Sequence, residues 1–128
     1  MNLVSKLPRG VNWSAAGWVS LGGIFGALLR WALSLLFDGS RSGTLAANLV
    51  GVALACFFLV AMEHRGRNSL RNLLLPGFCG GLTTFSAVAL ESVEGPRGLL
   101  YLITSLVLSL AVAALCIPIA RKALAAKS

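Results

Sequence analysis

Long apolar runs separated by short polar stretches set the pattern of this chain. Residues 15–37 carry a single charge, Arg30, and residues 44–62 carry none. Further apolar runs occupy residues 73–93 and 99–120. At 1.5 Å per residue, about 20 apolar residues cross the roughly 30 Å hydrocarbon core of a bilayer. The pattern therefore predicts four transmembrane helices, at about 15–37, 44–62, 73–93 and 99–120, in one domain spanning 1–128. Trp13 and Trp18 at one end of the first run, and Trp31 near the other, fit interfacial anchors. A cleaved signal peptide explains the first run less well, because its apolar region would span only about 7–15 residues.

The third run departs from the pattern. Residues 75–91, LPGFCGGLTTFSAVALE, lie in an apolar setting but hold a proline, three glycines and two adjacent threonines. Proline lacks a backbone donor and glycine has the largest ordering cost, so Pro76, Gly77, Gly80 and Gly81 are expected to interrupt the helix. In a membrane, freed backbone groups are tolerable only when buried in protein or lining a polar cavity. The expectation is an ion or small-solute site at a helix broken near its middle.

Composition agrees with lipid as the solvent. Of 128 residues, 57% are hydrophobic and 12% charged, against about 25% charged in soluble domains. The net charge of +7 comes from basic residues dispersed between apolar runs, which excludes a nucleic-acid surface. One side of the predicted topology holds Lys6, Arg9, Arg65, Arg67, Arg71, Arg121, Lys122 and Lys127; the other holds Arg41 and Arg97. That bias predicts both termini in the cytoplasm. Cys56, Cys79 and Cys116 have neither CxxC nor zinc-ligand spacing and read as small buried hydrophobes. The one histidine, His64, lies in a charged loop. No nucleophile–base set, paired membrane carboxylates or phosphate loop is present, so the chain does not read as an enzyme.

Polar residues within spans are few, and each has two readings. Arg30 either faces protein or a watery vestibule, where it attracts an anion, or snorkels to the headgroups. Asn48, one turn beyond Thr44, offers amide donors to a solute or makes an interhelical packing hydrogen bond. Tyr101, Ser105 and Ser109 recur every four residues, forming either a hydroxyl track for a small anion or a close-packing face. Carbonyls of residues 80–83 suit a hard cation such as Na⁺, unless neighbouring helices satisfy them. The positive edge of the Phe85 ring can face an anion, although such a ring is ordinarily core or lipid-facing. Glu91 is either an interfacial acid or a titrating group beside a pathway. Gly22 and Gly26 form a GxxxG pair for close helix contact.

Taken together, GGIFGALLRW (22–31), GTLAANLVG (43–51), GFCGGLTTFS (77–86) with Glu91, and the Tyr101/Ser105/Ser109 stripe resemble the Fluc (CrcB) family of bacterial fluoride channels. The resemblance covers essentially the whole chain. It implies an all-α subunit of the cell (inner) membrane that works as an antiparallel two-fold dimer, with two fluoride pathways and a structural Na⁺ at the dimer centre. It assigns the Na⁺ to the carbonyls of Gly80 and Thr83. It makes Asn48, supported by Thr44, the fluoride donor of the second helix, and Phe85 the first of two ring-edge contacts. Tyr101, Ser105 and Ser109 become the polar track, Arg30 the family's first-helix arginine, and Glu91 the acid near one pore end. One departure stands out: the family pattern TTFSTF reads TTFSAV here, with Ala87 and Val88.

The implied function is passive export of fluoride from the cytoplasm, relieving its toxicity. Two alternatives accompany it. The first is a weakly conducting or non-conducting subunit of a heterodimer, because the Lys/Arg bias favours one orientation and a homodimer needs both. The second is a proton-coupled small multidrug exporter, which needs a carboxylate in the first span. The only acids are Asp38, Glu63, Glu91 and Glu94.

Overall fold

A computed structural model describes residues 10–37, 39–63 and 65–127. Lys6 and Arg9 of the basic lead, Asp38 and His64 lie outside the described residues. The described chain is helical. Helix α1 is Trp13–Leu36 and α2 is Ser40–Ala61. The third span is composite: α3 (Asn68–Asn72), a π-helical segment (Leu73–Cys79), α4 (Gly80–Leu82) and α5 (Phe85–Val93). Helix α6 is Gly98–Ala125. The four units are long and apolar enough to cross a membrane, as the hydrophobic pattern predicts.

Helix ends differ from the apolar runs where polar residues suit a helix. Asn12 caps α1, its Oδ1 accepting from the Ala15 N–H at 3.1 Å. Helix α2 begins at Ser40, which brings Arg41 into its first turn. Helix α6 continues through Arg121 and Lys122, cations that suit the negative end of a helix. It also contains Pro118.

The α-helix gives way twice, first to a π-helical turn around the proline and then, just beyond the glycines, to extended chain. Residues 73–79 widen into a π-helix that carries Pro76, a form that inserts a wide turn without ending the helix. The chain leaves helical conformation at Thr83 (φ −81°, ψ 151°) and Thr84 (φ −149°, ψ 122°). The Thr83 hydroxyl and N–H both donate to the Cys79 carbonyl, at 3.0 and 2.9 Å, which closes the preceding turn. Thr84 then caps α5, its hydroxyl accepting from the Ala87 N–H at 3.3 Å.

The glycines serve close approach instead. A Cβ on Gly22 would lie 2.7 Å from Phe78 N, and one on Gly26 the same distance from Leu82 N. From the other side, a Cβ on Gly77 would lie 2.9 Å from Val19 O, and one on Gly81 2.9 Å from Gly23 Cα. The α1 backbone thus rests directly on the first half of the third span, the small-residue packing that helices use in lipid. Buried apolar side chains are few, among them Ala47, Leu82 and Val88, while Phe25, Leu28, Leu110 and many others point outward. That surface is what a lipid-facing or subunit-facing chain presents.

Candidate functional site

The break is held by the second helix. Asn48, buried in α2, uses both ends of its amide on one residue: Oδ1 accepts from the Thr84 N–H at 2.7 Å, and Nδ2 donates to the Thr84 carbonyl at 3.1 Å. Thr84 N–H is a donor, so the oxygen of the amide must face it, which fixes the orientation. One Nδ2 hydrogen remains after these two bonds. Thr84 N–H would ordinarily serve the Gly80 carbonyl one turn back; bound to Asn48, it leaves that carbonyl without its helical partner.

Two cavities flank Thr84. One, of about 210 Å³, is lined by Asn48, Thr83, Phe85, Val88, Ser105 and Ser109 among others. The Asn48 amide, two serines of the α6 stripe and the Phe85 ring therefore surround one space. Ser105 is buried, and its Oγ has no hydrogen-bond partner among the described residues. Phe85 is 69% exposed, whereas Val88, one turn on, is 3% exposed and borders the same cavity. The other cavity, of about 520 Å³, is lined by Arg30, Trp31, Ser34, Thr44, Thr84 and Ser86 among others. Arg30 borders this cavity, and its Nη1 donates to the Thr83 carbonyl at 3.4 Å. Gly80 is exposed and lines neither cavity.

Glu91 and Tyr101 meet α2 beyond these cavities. Glu91 is 5% exposed; its Oε1 accepts from the Thr44 hydroxyl at 3.0 Å, and its Oε2 has no partner among the described residues. The Tyr101 hydroxyl donates to the Arg41 carbonyl at 3.2 Å. The Arg41 guanidinium lies 5.8 Å from the Tyr101 ring centroid and donates to the Glu91 carbonyl at 3.1 Å and to the Glu94 carbonyl. These carbonyls end α5, so Arg41 places a cation at the negative end of that helix.

Arg41 and Thr84 are the residues that sequence reasoning passed over. Thr84 had a signal: a threonine directly before an apolar run is an N-cap signature, and it dates the start of α5 to Phe85. Arg41 had none, because its partners lie 50 and 60 positions away.

Comparison with known proteins bears on all of this. Residues 17–117 match the family model described as CrcB-like protein, Camphor Resistance (CrcB). A Rhizobium etli protein named fluoride-specific ion channel FluC is 40% identical, covering 73% of this chain and 85% of its own length. Proteins of the same name from Chromobacterium violaceum and Paracoccus denitrificans are 44% and 37% identical, over 64% and 73% of this chain and 70% and 83% of theirs. None of these is an enzyme by name. With four membrane-length helices, a third one bent at Thr83–Thr84, and a match across most of its length, the chain belongs to the CrcB (FluC) family of fluoride channels.

Proposed function

We propose that the chain is a subunit of a channel that lets fluoride leave the cytoplasm passively. The observation that carries this reading is the cavity shared by Asn48, Phe85, Ser105 and Ser109 in a chain whose relatives are named fluoride-specific channels. Fluoride is small and strongly hydrated, so a selective path must replace its water with fixed donors. The spare Nδ2 hydrogen of Asn48, the unpartnered Ser105 hydroxyl, the Ser109 hydroxyl and the edge of the Phe85 ring supply donors of that kind. Tyr101 continues the stripe, with Thr44 and Glu91 toward one end; Arg30 contributes positive charge beside the break. Fluoride efflux from liposomes containing the purified protein, followed with a fluoride electrode, tests the reading. Chloride efflux at a similar rate overturns it.

The working unit in this reading is an antiparallel dimer, with a structural Na⁺ held where two copies of the break meet. The Gly80 and Thr83 carbonyls fit such an ion in kind. Both are hard oxygen donors, and the Gly80 carbonyl has lost its helical donor to Asn48. The Thr83 carbonyl has Arg30 at 3.4 Å, a long contact that an ion would have to share. A bound Na⁺ would supply positive charge holding the carbonyls together; the anion path itself uses the residues above. Two carbonyls per copy make four, and the large exposed apolar faces give a second copy a surface to cover.

A second reading rests on Val88 and on charge. Val88 borders the cavity without an aromatic edge, and the Lys/Arg bias favours a single orientation, with both termini cytoplasmic. On this reading the chain pairs with a homologous subunit of opposite bias and conducts weakly or not at all alone. Homodimer-like fluoride flux from this chain alone excludes it. A proton-coupled exporter is disfavoured because α1 contains no acid.

A further inference from the structure

The basic residues on the side of α2 that ends at Ala61 are not spread evenly. Two adjoining grooves, of about 600 and 230 Å³, share Val60, Glu63 and Arg121. Arg65 and Lys127 line the larger, and Arg71 the smaller. Four cations thus surround one acid. Glu63 meets Arg121 only loosely, at 3.8 Å between side chains that are 50% and 63% exposed, so most of the positive field is uncompensated. The remaining walls are apolar, with Leu59 and Ile117 in the smaller groove and Leu124 in the larger.

We propose that this groove binds the headgroup of an anionic phospholipid. The phosphodiester sits among Arg65, Arg71, Arg121 and Lys127, and the start of an acyl chain lies along Leu59 and Ile117. Three considerations select this ligand. The groove is at the ends of membrane-length helices α2 and α6, where headgroups are concentrated. Its cations complement a phosphodiester, which arginine forks match well. Its apolar walls suit a ligand with a tail and give a free inorganic anion nothing. General retention of positive charge on one side does not account for the clustering: Arg67 and Lys122 share that side but line neither groove. The proposal does not depend on which ion the channel carries.

The test uses the purified full chain in a neutral detergent, titrated with short-chain phosphatidylglycerol and read by intact-complex mass spectrometry. Phosphatidylcholine and inorganic phosphate serve as comparison ligands. At about 1 kcal/mol per basic residue near a headgroup, the double variant Arg65→Gln/Arg121→Gln is expected to bind phosphatidylglycerol about thirtyfold more weakly. The pair Arg67→Gln/Lys122→Gln, which changes net charge equally, is expected to bind as the parent does. Glu63→Gln is expected to bind more tightly, a gain that misfolding cannot produce. Equal weakening by both pairs, equal binding of phosphatidylcholine, or displacement of the lipid by an equal concentration of inorganic phosphate each overturns the proposal.

Discussion

Replacing Asn48 with leucine tests what holds the break open. Leucine has the same branching and number of heavy atoms as asparagine but is bulkier, so the change removes polar function without opening a cavity. It takes away both bonds to Thr84, at 2.7 and 3.1 Å. The Thr84 N–H and carbonyl then stand in a part-buried site with no partner supplied by the fold. A buried group left unsatisfied costs about 1–3 kcal/mol in soluble proteins. Interhelical hydrogen bonds in membranes average nearer 0.6 and reach about 1.7 kcal/mol. Two such bonds therefore set the expected loss at about 1–3 kcal/mol, a shift of about five- to 150-fold in the unfolding equilibrium. Equilibrium unfolding in mixed micelles, with helicity as the signal, measures it. Fluoride efflux from liposomes made with the same preparation shows whether function falls alongside. An Asn48→Leu protein as stable as the parent would refute the argument that this amide holds Thr84 extended. Lost flux with unchanged stability would assign Asn48 to the ion alone.

Four further outcomes are expected. Gly22→Ala and Gly26→Ala each push a methyl into the backbone of the third span and should cost about 1–3 kcal/mol, whereas Gly17→Ala, with nothing within 4 Å, should be neutral or stabilising by about 0.5–1 kcal/mol in the same unfolding assay. Arg41→Ala removes the cation at the end of α5 and should destabilise by about 1–2 kcal/mol, with Arg41→Lys recovering part of the loss. Ser105→Ala deletes a buried hydroxyl that has no partner among the described residues. It should leave stability unchanged or slightly improved while lowering fluoride flux, a divergence that a packing role would not produce. Val88→Phe forces a ring into a site that is 3% exposed; it should cost about 1–3 kcal/mol in stability but raise flux if the added ring reaches the adjoining cavity.

Much of the architecture was legible because membrane spans are written in long apolar runs, and the small residues of GGIFG mark where backbones touch. The break was legible as an event and roughly in its place, but not in its cause. Proline and glycine are the local punctuation, yet Pro76 sits in a π-helical turn and the glycines accommodate α1. The chain is redirected by Thr83 and Thr84, through a hydroxyl on Cys79 O and an amide from another helix. That amide, Asn48, lies 36 positions away, and no local rule reports such a contact. Asn48, Phe85, Ser105 and Ser109 do gather around one cavity, because their three helices meet beside the break. Glu91 and Tyr101 are drawn instead to Thr44 and Arg41 at the start of α2.

Helix α5 has only nine residues, a rod of about 14 Å that covers less than half the hydrocarbon thickness. Asn48 pins its leading end through Thr84, Arg41 pins its trailing end, and the Thr44–Glu91 bond ties one side. Tilting or sliding the rod must break bonds at an end, and rotating it must break the side tie and unseat Val88, which is buried. The segment is thus a strut fixed at both ends and along one side, which holds Phe85 and Val88 at set positions beside the cavity.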